Sequence, residues 1–298
     1  MRFKVRCRFT AKNKKNRIAW AFLSVSIIGV LIFGVLPLID VLKRSLQNPM
    51  GTEFVGLQNY QEVLNNGSFH LAAINTLKFI SIGIPALLGL SLLLAVWLRE
   101  ITDKKGKALR AIFLLPMVLP VSSLSFVWKL FFTQYGILNK ILTGIGCAPI
   151  DFISSDCSFG VLIFTYIWRN FGYAMILWMA AMDGIDNSVY EAAQIDGAGK
   201  FRIFRSITLP LLRPVSFTII ILSLLNSFKV FRDAYLIAGD YPHQSIYLLQ
   251  HLFSNWFVKM DIGKIAAAAV MVTLIICILV GGLNYGLSKQ AKNKRKMR

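Results

Sequence analysis

Residues that could contact a polar solute stand at two places inside long apolar stretches of this 298-residue chain. They are Trp168, Asn170, Gly172 and Tyr173 in the first stretch, and Ser223, Asn226 and Lys229 in the second. Residues three apart lie on one face of a helix, so Ser223, Asn226 and Lys229 form a polar stripe. Aromatic faces stack on sugar rings, and side-chain amides hydrogen-bond hydroxyl groups. The two sets are therefore suited to contacts with an oligosaccharide.

Motifs of common enzyme chemistry do not appear in the sequence. The nearest match to a phosphate-binding loop is Gly197–Lys200, but Gln194 stands where that motif has its first glycine. There is no His-Glu-x-x-His or Gly-x-Ser-x-Gly pattern, and the three histidines do not cluster. The four cysteines have no metal-site spacing. We therefore predict no catalytic centre, metal ion or cofactor in this chain.

The composition excludes a soluble globule. Hydrophobic residues make up 56% of the chain, charged residues only 16%, and the mean hydropathy is +0.60. A soluble domain carries about 25% charged residues, because it must cover its surface with them. The formal net charge of +19 could indicate nucleic-acid binding, but the chain lacks the soluble scaffold that such a protein needs. We predict one integral membrane domain and no nucleic-acid partner.

Apolar runs predict the elements that hold the candidate residues. A membrane-spanning helix needs about 20 mostly apolar residues. Four runs without charge lie between Arg17 and Asp40, Lys78 and Arg99, Arg110 and Lys129, and Lys264 and Lys289. Two further stretches, about 159–182 and 214–236, are interrupted by charge. Hydropathy alone thus predicts four to six spans.

The placement of basic residues decides the number of spans. Of the 33 lysines and arginines, 23 lie in segments 1–17, 99–110, 182–213 and 289–298. Basic residues near span ends favour the cytoplasmic side. Only a six-span arrangement puts all four segments on that side, so we predict an all-α polytopic membrane protein with six transmembrane helices. Segment 1–17 is then a basic cytoplasmic N-terminus, 18–42 the first span, and 289–298 a basic cytoplasmic tail.

The same topology puts Cys147 and Cys157 in one external loop. In an oxidising compartment they could form a disulfide, but the sequence favours two free thiols.

The segment from Asp186 to Lys200 has the features of a short cytoplasmic helix. Asp186, Asn187 or Ser188 could accept hydrogen bonds from the first free backbone amides. Gly197 and Gly199 are typical of a helix end. Two adjacent alanines leave a low-relief face between flanking carboxylates. A plain amphipathic helix under the membrane would look similar.

This segment resembles the EAA loop of ABC importer permeases. The resemblance rests on Glu191-Ala192-Ala193, Asp196-Gly197-Ala198 and Ile207-Thr208-Leu209-Pro210, in the family's order and spacing. It implies that Glu191, Ala192, Ala193, Asp196, Gly197 and Ala198 couple to a cytoplasmic ATPase subunit. The coupling loop is expected over 184–211.

The resemblance extends over about 72–288 and implies a type I, MetI-like transmembrane domain. It includes Asn75-Thr76, Leu115-Pro116, Trp128, Gly136-Ile137-Leu138-Asn139 and Trp168-Arg169-Asn170-Phe171-Gly172. Among carbohydrate-uptake permeases the chain is similar to the larger subunit of maltose- and glycerol-phosphate-type importers. One departure is Ala238–Pro242, where such permeases often carry a Thr-Gly-Gly-Gly-Pro-like turn.

The resemblance implies a permease subunit of a binding-protein-dependent sugar importer in a bacterial plasma membrane. Its expected partners are a second permease, an ABC ATPase dimer, an extracellular solute-binding protein, the sugar and membrane lipid. Gly172 and Asn226 match positions that line the sugar site in maltose-type permeases. Alternatives are a permease for another polar solute, such as glycerol phosphate, and an ion-gradient-driven secondary transporter, for which Asp233 is the candidate acid.

The charges that interrupt the two apolar stretches have alternative interpretations. Lys229, Arg232 and Asp233 could instead lie at the outer membrane interface, with Arg232 and Asp233 solvated and Lys229 reaching towards water. Arg169 could pair with a carboxylate of the partner permease.

Overall fold

The computed structural model describes residue 20, residues 23–101 and residues 103–296, without the side chains of residues 283, 284 and 286–296. The predicted basic segment 1–17 lies outside this description, and so do the last two residues of the predicted tail. Residues 289–296 of that tail continue the final helix.

Helices make up most of the described chain. They are α1 (Leu23–Arg44), α2 (Gln58–Leu64), α3 (Gly67–Arg99), α4 (Lys104–Val118), α5 (Val121–Phe132), α6 (Ile137–Gly144), α7 (Cys157–Asp183), α8 (Asn187–Ile195), α9 (Lys200–Ile203), α10 (Arg213–Ser227), α11 (Val230–Ala238), α12 (Leu249–Val258) and α13 (Ile262–Lys296). A π-helical turn, Phe204–Thr208, follows α9. Among the described residues, β structure is limited to one isolated bridge between Gln47 and Phe54.

Five segments are long and apolar enough to cross a membrane. They are α1, α3, α7, the pair α10–α11 and Ile262–Gly282 of α13. Helix α4 and the segment Val121–Gly144 form a bent pair that makes a sixth span if it is counted as one. The predicted all-α polytopic class is confirmed, with six spans on that count.

The third span is not the single straight helix that its charge-free run suggests. Helix α4 ends at Val118, and the path turns by 97° before Val121. Leu119 has an extended backbone, with ψ of 139°. Proline disfavours the helical conformation of the residue before it, which accounts for the extended Leu119 ahead of Pro120.

One compact unit comprises the residues up to Asn65 together with Trp256–Leu274. Its polar centre is Asn59, whose amide donates hydrogen bonds to the carbonyl oxygens of Ser45 at 2.9 Å and Gln47 at 2.7 Å. Lys264 forms an ion pair with Glu62 at 3.2 Å.

The second unit comprises Asn66–Asn255 and the chain from Ile275 onward. Helices α3 and α7 form its most extensive contact. Two buried clusters lie along this contact, one around Met175, Trp178 and Leu98 and the other around Phe79 and Tyr166. Within the contact, Trp178 Nε1 donates a hydrogen bond to Ser91 Oγ at 3.1 Å, so two buried polar groups are paired inside the bundle.

Two asparagines from the resemblance motifs hold connections in place. The Asn75 amide donates to the carbonyl oxygens of Gln244 at 2.6 Å and Tyr247 at 3.1 Å. The Asn139 side chain both donates to and accepts from the backbone of Ile150, each at 2.8 Å. Both are therefore structural residues in this fold.

Candidate functional site

A polar cavity of about 640 Å³ lies within the second unit. Its walls come from the α4–α5 break, the middle of α7, the α10–α11 junction and α12. The lining residues are Met117, Val121, Arg169, Asn170, Asn226, Phe228, Lys229, Val230, Phe231, Arg232, Asp233, Gln250 and Phe253. Because Arg169 is near the middle of the 27-residue α7, the cavity is at mid-span depth.

The fifth span is interrupted where it meets the cavity. Phe228 and Lys229 form a turn between α10 and α11. The amide of Lys229 bonds to the carbonyl of Asn226 at 3.0 Å, and the amide of Arg232 to that of Lys229 at 3.1 Å. Such short-range bonds replace the regular helical ladder. Interrupted helices at membrane depth are typical of transporter sites, where irregular backbone lines a cavity.

Two residues of the cavity lining, Arg169 and Asp233, form an ion pair with each other. Arg169 Nη1 donates to Asp233 Oδ1 at 3.0 Å, and the two side chains are 23% and 13% exposed. Within this chain Arg169 therefore has Asp233 as its partner, and pairing with a carboxylate of the partner permease stays a prediction. The outer-interface alternative put both Arg232 and Asp233 in water. It is wrong for Asp233, whose side chain is only 13% exposed, whereas Arg232 is exposed.

Three predicted pathway residues meet at the cavity, namely Asn170, Asn226 and Lys229. The Asn170 amide donates to the Tyr166 carbonyl at 2.8 Å, which fixes its orientation. Among the described residues, the Asn226 side chain has no hydrogen-bond partner, so its amide is available to a ligand.

The other four predicted pathway residues are not in the cavity wall. Trp168 packs edge-on against Trp128, with ring centroids 5.1 Å apart. Ser223 is buried, and its carbonyl accepts a hydrogen bond from Tyr166. Gly172 allows α7 to approach α4, and Tyr173 is half-buried elsewhere. A role for these four in the pathway stays a prediction.

Several lining residues were not predicted. Met117 and Val121 flank the α4–α5 break, while Gln250 and Phe253 belong to α12. For Met117 and Val121, Pro120 is the residue in the sequence that could have indicated the nearby helix break. Gln250 and Phe253 carry no comparable signal, since their position depends on the tertiary fold.

Helix α8 contains three of the six predicted coupling residues, Glu191, Ala192 and Ala193, and the other three follow it directly. Asp186 caps it by accepting from the Ser188 amide at 3.0 Å, and this backbone hydrogen bond lowers the pKa of the Asp186 carboxyl. At the other end Gly197 has φ of 75°. The amides of Gly197 and Ala198 bond back to the Gln194 and Ala193 carbonyls, forming a Schellman motif.

Gly199 does not end this helix as expected. It has φ of −68° and precedes α9 as its N-cap residue, so only Gly197 supplies the left-handed conformation.

The two faces of α8 differ in exposure. Glu191, Ala192, Asp196 and Gly197 are exposed, whereas Ala193 and Ala198 are half-buried. The adjacent Ile195 is 86% exposed, and Phe201 after the helix is 74% exposed. The exposed face is therefore small, partly apolar and flanked by carboxylates. The two alanines do not share it, because adjacent helical residues point in different directions.

Among the described residues, no histidine or cysteine lines the cavity, although His251 contacts the lining residue Phe231. His251 is buried against Phe231 and Tyr247, and burial lowers its pKa to about 4. Cys147 and Cys157 are both exposed free thiols.

An apolar helical bundle with a polar mid-span cavity and an exposed capped helix between two spans has the architecture of a membrane transport subunit. A family model described as "Binding-protein-dependent transport system inner membrane component" matches residues 87–293, and the chain belongs to this family.

Two curated relatives extend the match over most of the chain. The trehalose/maltose transport system permease protein MalF of Thermococcus litoralis is 30% identical over 273 residues, covering 89% of this chain and 92% of the relative. The inner membrane ABC transporter permease protein YcjO of Escherichia coli K12 is 32% identical over 247 residues, covering 81% and 83%.

A solved structure has the same fold. A chain of a bacterial ABC transporter involved in the import of the acidic polysaccharide alginate aligns with a TM-score of 0.82 and 21% identity. The alignment covers 95% of this chain and 99% of that chain, and at this identity it concerns the fold alone.

Proposed function

We propose that this chain is one permease subunit of an ATP-driven, binding-protein-dependent sugar importer in a bacterial plasma membrane, with both termini cytoplasmic. The observation that carries the proposal is α8, an exposed and doubly capped helix on a connection between two spans. Its exposed residues include Glu191 and Ala192, and the exposed Asp196 and Gly197 follow at its C-terminal end.

In this mechanism α8 docks on an ATPase subunit, and a second, similar permease completes the translocation pathway. Closure of the ATPase dimer on ATP moves α8, and the cavity opens alternately to the two sides. Asn170 and Asn226 supply amide groups to sugar hydroxyls, and Lys229 adds a donor. An extracellular binding protein delivers the sugar.

The printed names of relatives support a sugar as substrate. Besides the trehalose/maltose permease, the arabinooligosaccharides transport system permease protein AraP of Bacillus subtilis is 27% identical over 276 residues. An ion-gradient mechanism has less support, because a proton-carrying acid must exchange partners. Asp233 is instead engaged by Arg169 at 3.0 Å.

The test is co-purification from cells of the source organism that express the tagged chain and supply its partner subunits. We expect all subunits to co-purify with the unchanged chain. Gly197→Pro should lose the ATPase and keep the second permease, because proline fixes φ near −65° and removes the amide that closes α8. Gly199→Ala is the matched control, since its φ of −68° accommodates alanine. Retention of the ATPase by Gly197→Pro would contradict the proposed docking helix.

A further inference from the structure

Tyr190 is a half-buried residue of α8 whose flanking residues, Val189 and Glu191, are exposed. Its side chain therefore turns away from the exposed face and towards the span ends. Two contacts of the Tyr190 side chain, described next, attach α8 to the rest of the second unit.

The first contact is with Arg99 in the last turn of α3. The guanidinium carbon lies 5.4 Å from the centroid of the Tyr190 ring, within the range of cation–π attraction. Arg99 Nη1 also lies 3.5 Å from the tyrosine oxygen. Arg99 Nε also forms an ion pair with Asp183 at 3.3 Å, with side chains that are 30% and 65% exposed. Since Asp183 is the last residue of α7, Arg99 links Tyr190 to two span ends.

The second contact is with Thr208 at the end of the π-helical turn. Its hydroxyl donates to the Tyr190 oxygen at 3.3 Å, and Thr208 is buried. Thr208 precedes the short segment that leads into α10, so Tyr190 reaches the entry of the fifth span as well. One aromatic side chain thus contacts both α3 and the approach to α10, and it reaches α7 only through Arg99.

A second link between the coupling segment and α3 is the ion pair of Lys200 with Glu100 at 3.0 Å. Its side chains are 91% and 65% exposed. Exposed pairs of this kind are screened by water and salt and hold two elements together only weakly. The Tyr190 contacts combine ring packing, a cation and two hydrogen bonds in a partly buried place.

We propose that Tyr190 is a positioning residue that transmits the movement of α8 to the spans through Arg99 and Thr208. This inference rests on the proposed function, because it assumes that an ATPase moves α8. Tyr190 does not contribute to the exposed face, so its loss separates transmission from docking. A tyrosine side chain has only two rotatable bonds and transfers displacement with little slack.

The experiment measures the opening of the cavity by cysteine labelling, in the absence of sugar. The full assembly is reconstituted in proteoliposomes with Asn226→Cys as reporter and the native cysteines replaced by serine. A membrane-impermeant maleimide is added outside, together with the binding protein, while ATP and vanadate are enclosed with the ATPase. In the parent assembly, nucleotide trapping should increase labelling of the reporter.

Tyr190→Ala should retain the ATPase on co-purification but reduce the nucleotide-dependent increase in labelling about tenfold, a coupling loss of ordinary size. Tyr190→Phe keeps the ring, so the nucleotide-dependent increase in labelling should fall less than in Tyr190→Ala. Lys200→Gln, which breaks the exposed pair, is the matched control and should label like the parent. Gly197→Pro should lose the ATPase itself, which distinguishes failed docking from failed transmission.

Parent-like labelling in Tyr190→Ala would overturn the proposal. So would loss of the ATPase from both Tyr190→Ala and Tyr190→Phe, because Tyr190 would then belong to the docking surface. Retention of the ATPase and normal opening in Gly197→Pro would instead overturn the proposed function.

Discussion

At the scale of single residues, Arg169 and Asp233 determine how charge is tolerated in the middle of the bundle. Both interrupt apolar stretches, and an ionised group at that depth is costly unless it is paired or hydrated. Their 3.0 Å contact joins α7 to α11, the half of the fifth span beyond its break. The pair therefore holds a cavity wall together, and within it the two charges of Arg169 and Asp233 offset each other, while Lys229 and Arg232 leave the wall basic.

Breaking this pair should destabilise the protein. Arg169→Gln leaves the Asp233 carboxylate without its main partner, and removal of one member of a buried pair costs about 3 kcal/mol. We expect a lower melting temperature of the solubilised assembly and weak transport. Arg232→Gln removes the same charge from an exposed neighbour and should change the melting temperature little. The double exchange Arg169→Asp/Asp233→Arg should recover part of the loss. Equal melting temperatures for Arg169→Gln and Arg232→Gln would show that the pair is not structural.

At the scale of elements, the crossing of α4 and α7 depends on Gly172. An ideal Cβ at this position would lie 1.9 Å from the Phe113 carbonyl oxygen. The two helices could not keep their separation with any larger residue. This close approach gives Gly172 a packing role that its place in a sugar-binding motif does not reveal.

Gly172→Ala should therefore separate α4 from α7. Overpacking of this kind costs about 1–3 kcal/mol, and we expect the melting temperature to fall by about 5 °C. Gly160→Ala on the same helix is the control, since the described residues put no atom within 4 Å of its Cβ. Alanine favours helix over glycine there, so the control should melt at the same temperature or higher. A stable Gly172→Ala protein would contradict the close crossing.

The sequence predicts local features of these elements well. Asp186 and Gly197 act at the ends of α8 as their residue types indicate, because capping depends on neighbouring backbone groups. The bend at Pro120 is harder to predict, since Pro85 and Pro116 both lie inside helices.

Features that depend on contacts between residues far apart in the chain could not be predicted from the sequence. The pairing of Arg169 with Asp233 joins positions 64 residues apart. The break at Phe228–Lys229 has no proline or glycine to announce it. For the same reason, the sequence could group Asn170, Asn226 and Lys229 as candidates but could not exclude Trp168 or Ser223 from the cavity wall.

At the scale of the whole molecule, the excess of basic residues has a topological explanation. Most of the 33 lysines and arginines lie in four segments assigned to one side of the membrane. Few charges remain for the spans, and those few form the ion pair and the polar cavity wall. The chain thus provides a pathway and a docking helix, while the proposed mechanism takes its energy from a separate ATPase.

The most direct test of this account is uptake into proteoliposomes that contain the complete assembly. The labelled sugar is the one that most raises the melting temperature of the accompanying binding protein. We predict uptake when ATP is enclosed with the ATPase, and none when a proton or sodium gradient is imposed without ATP. Uptake driven by such a gradient in vesicles that contain this chain without the ATPase would contradict the account.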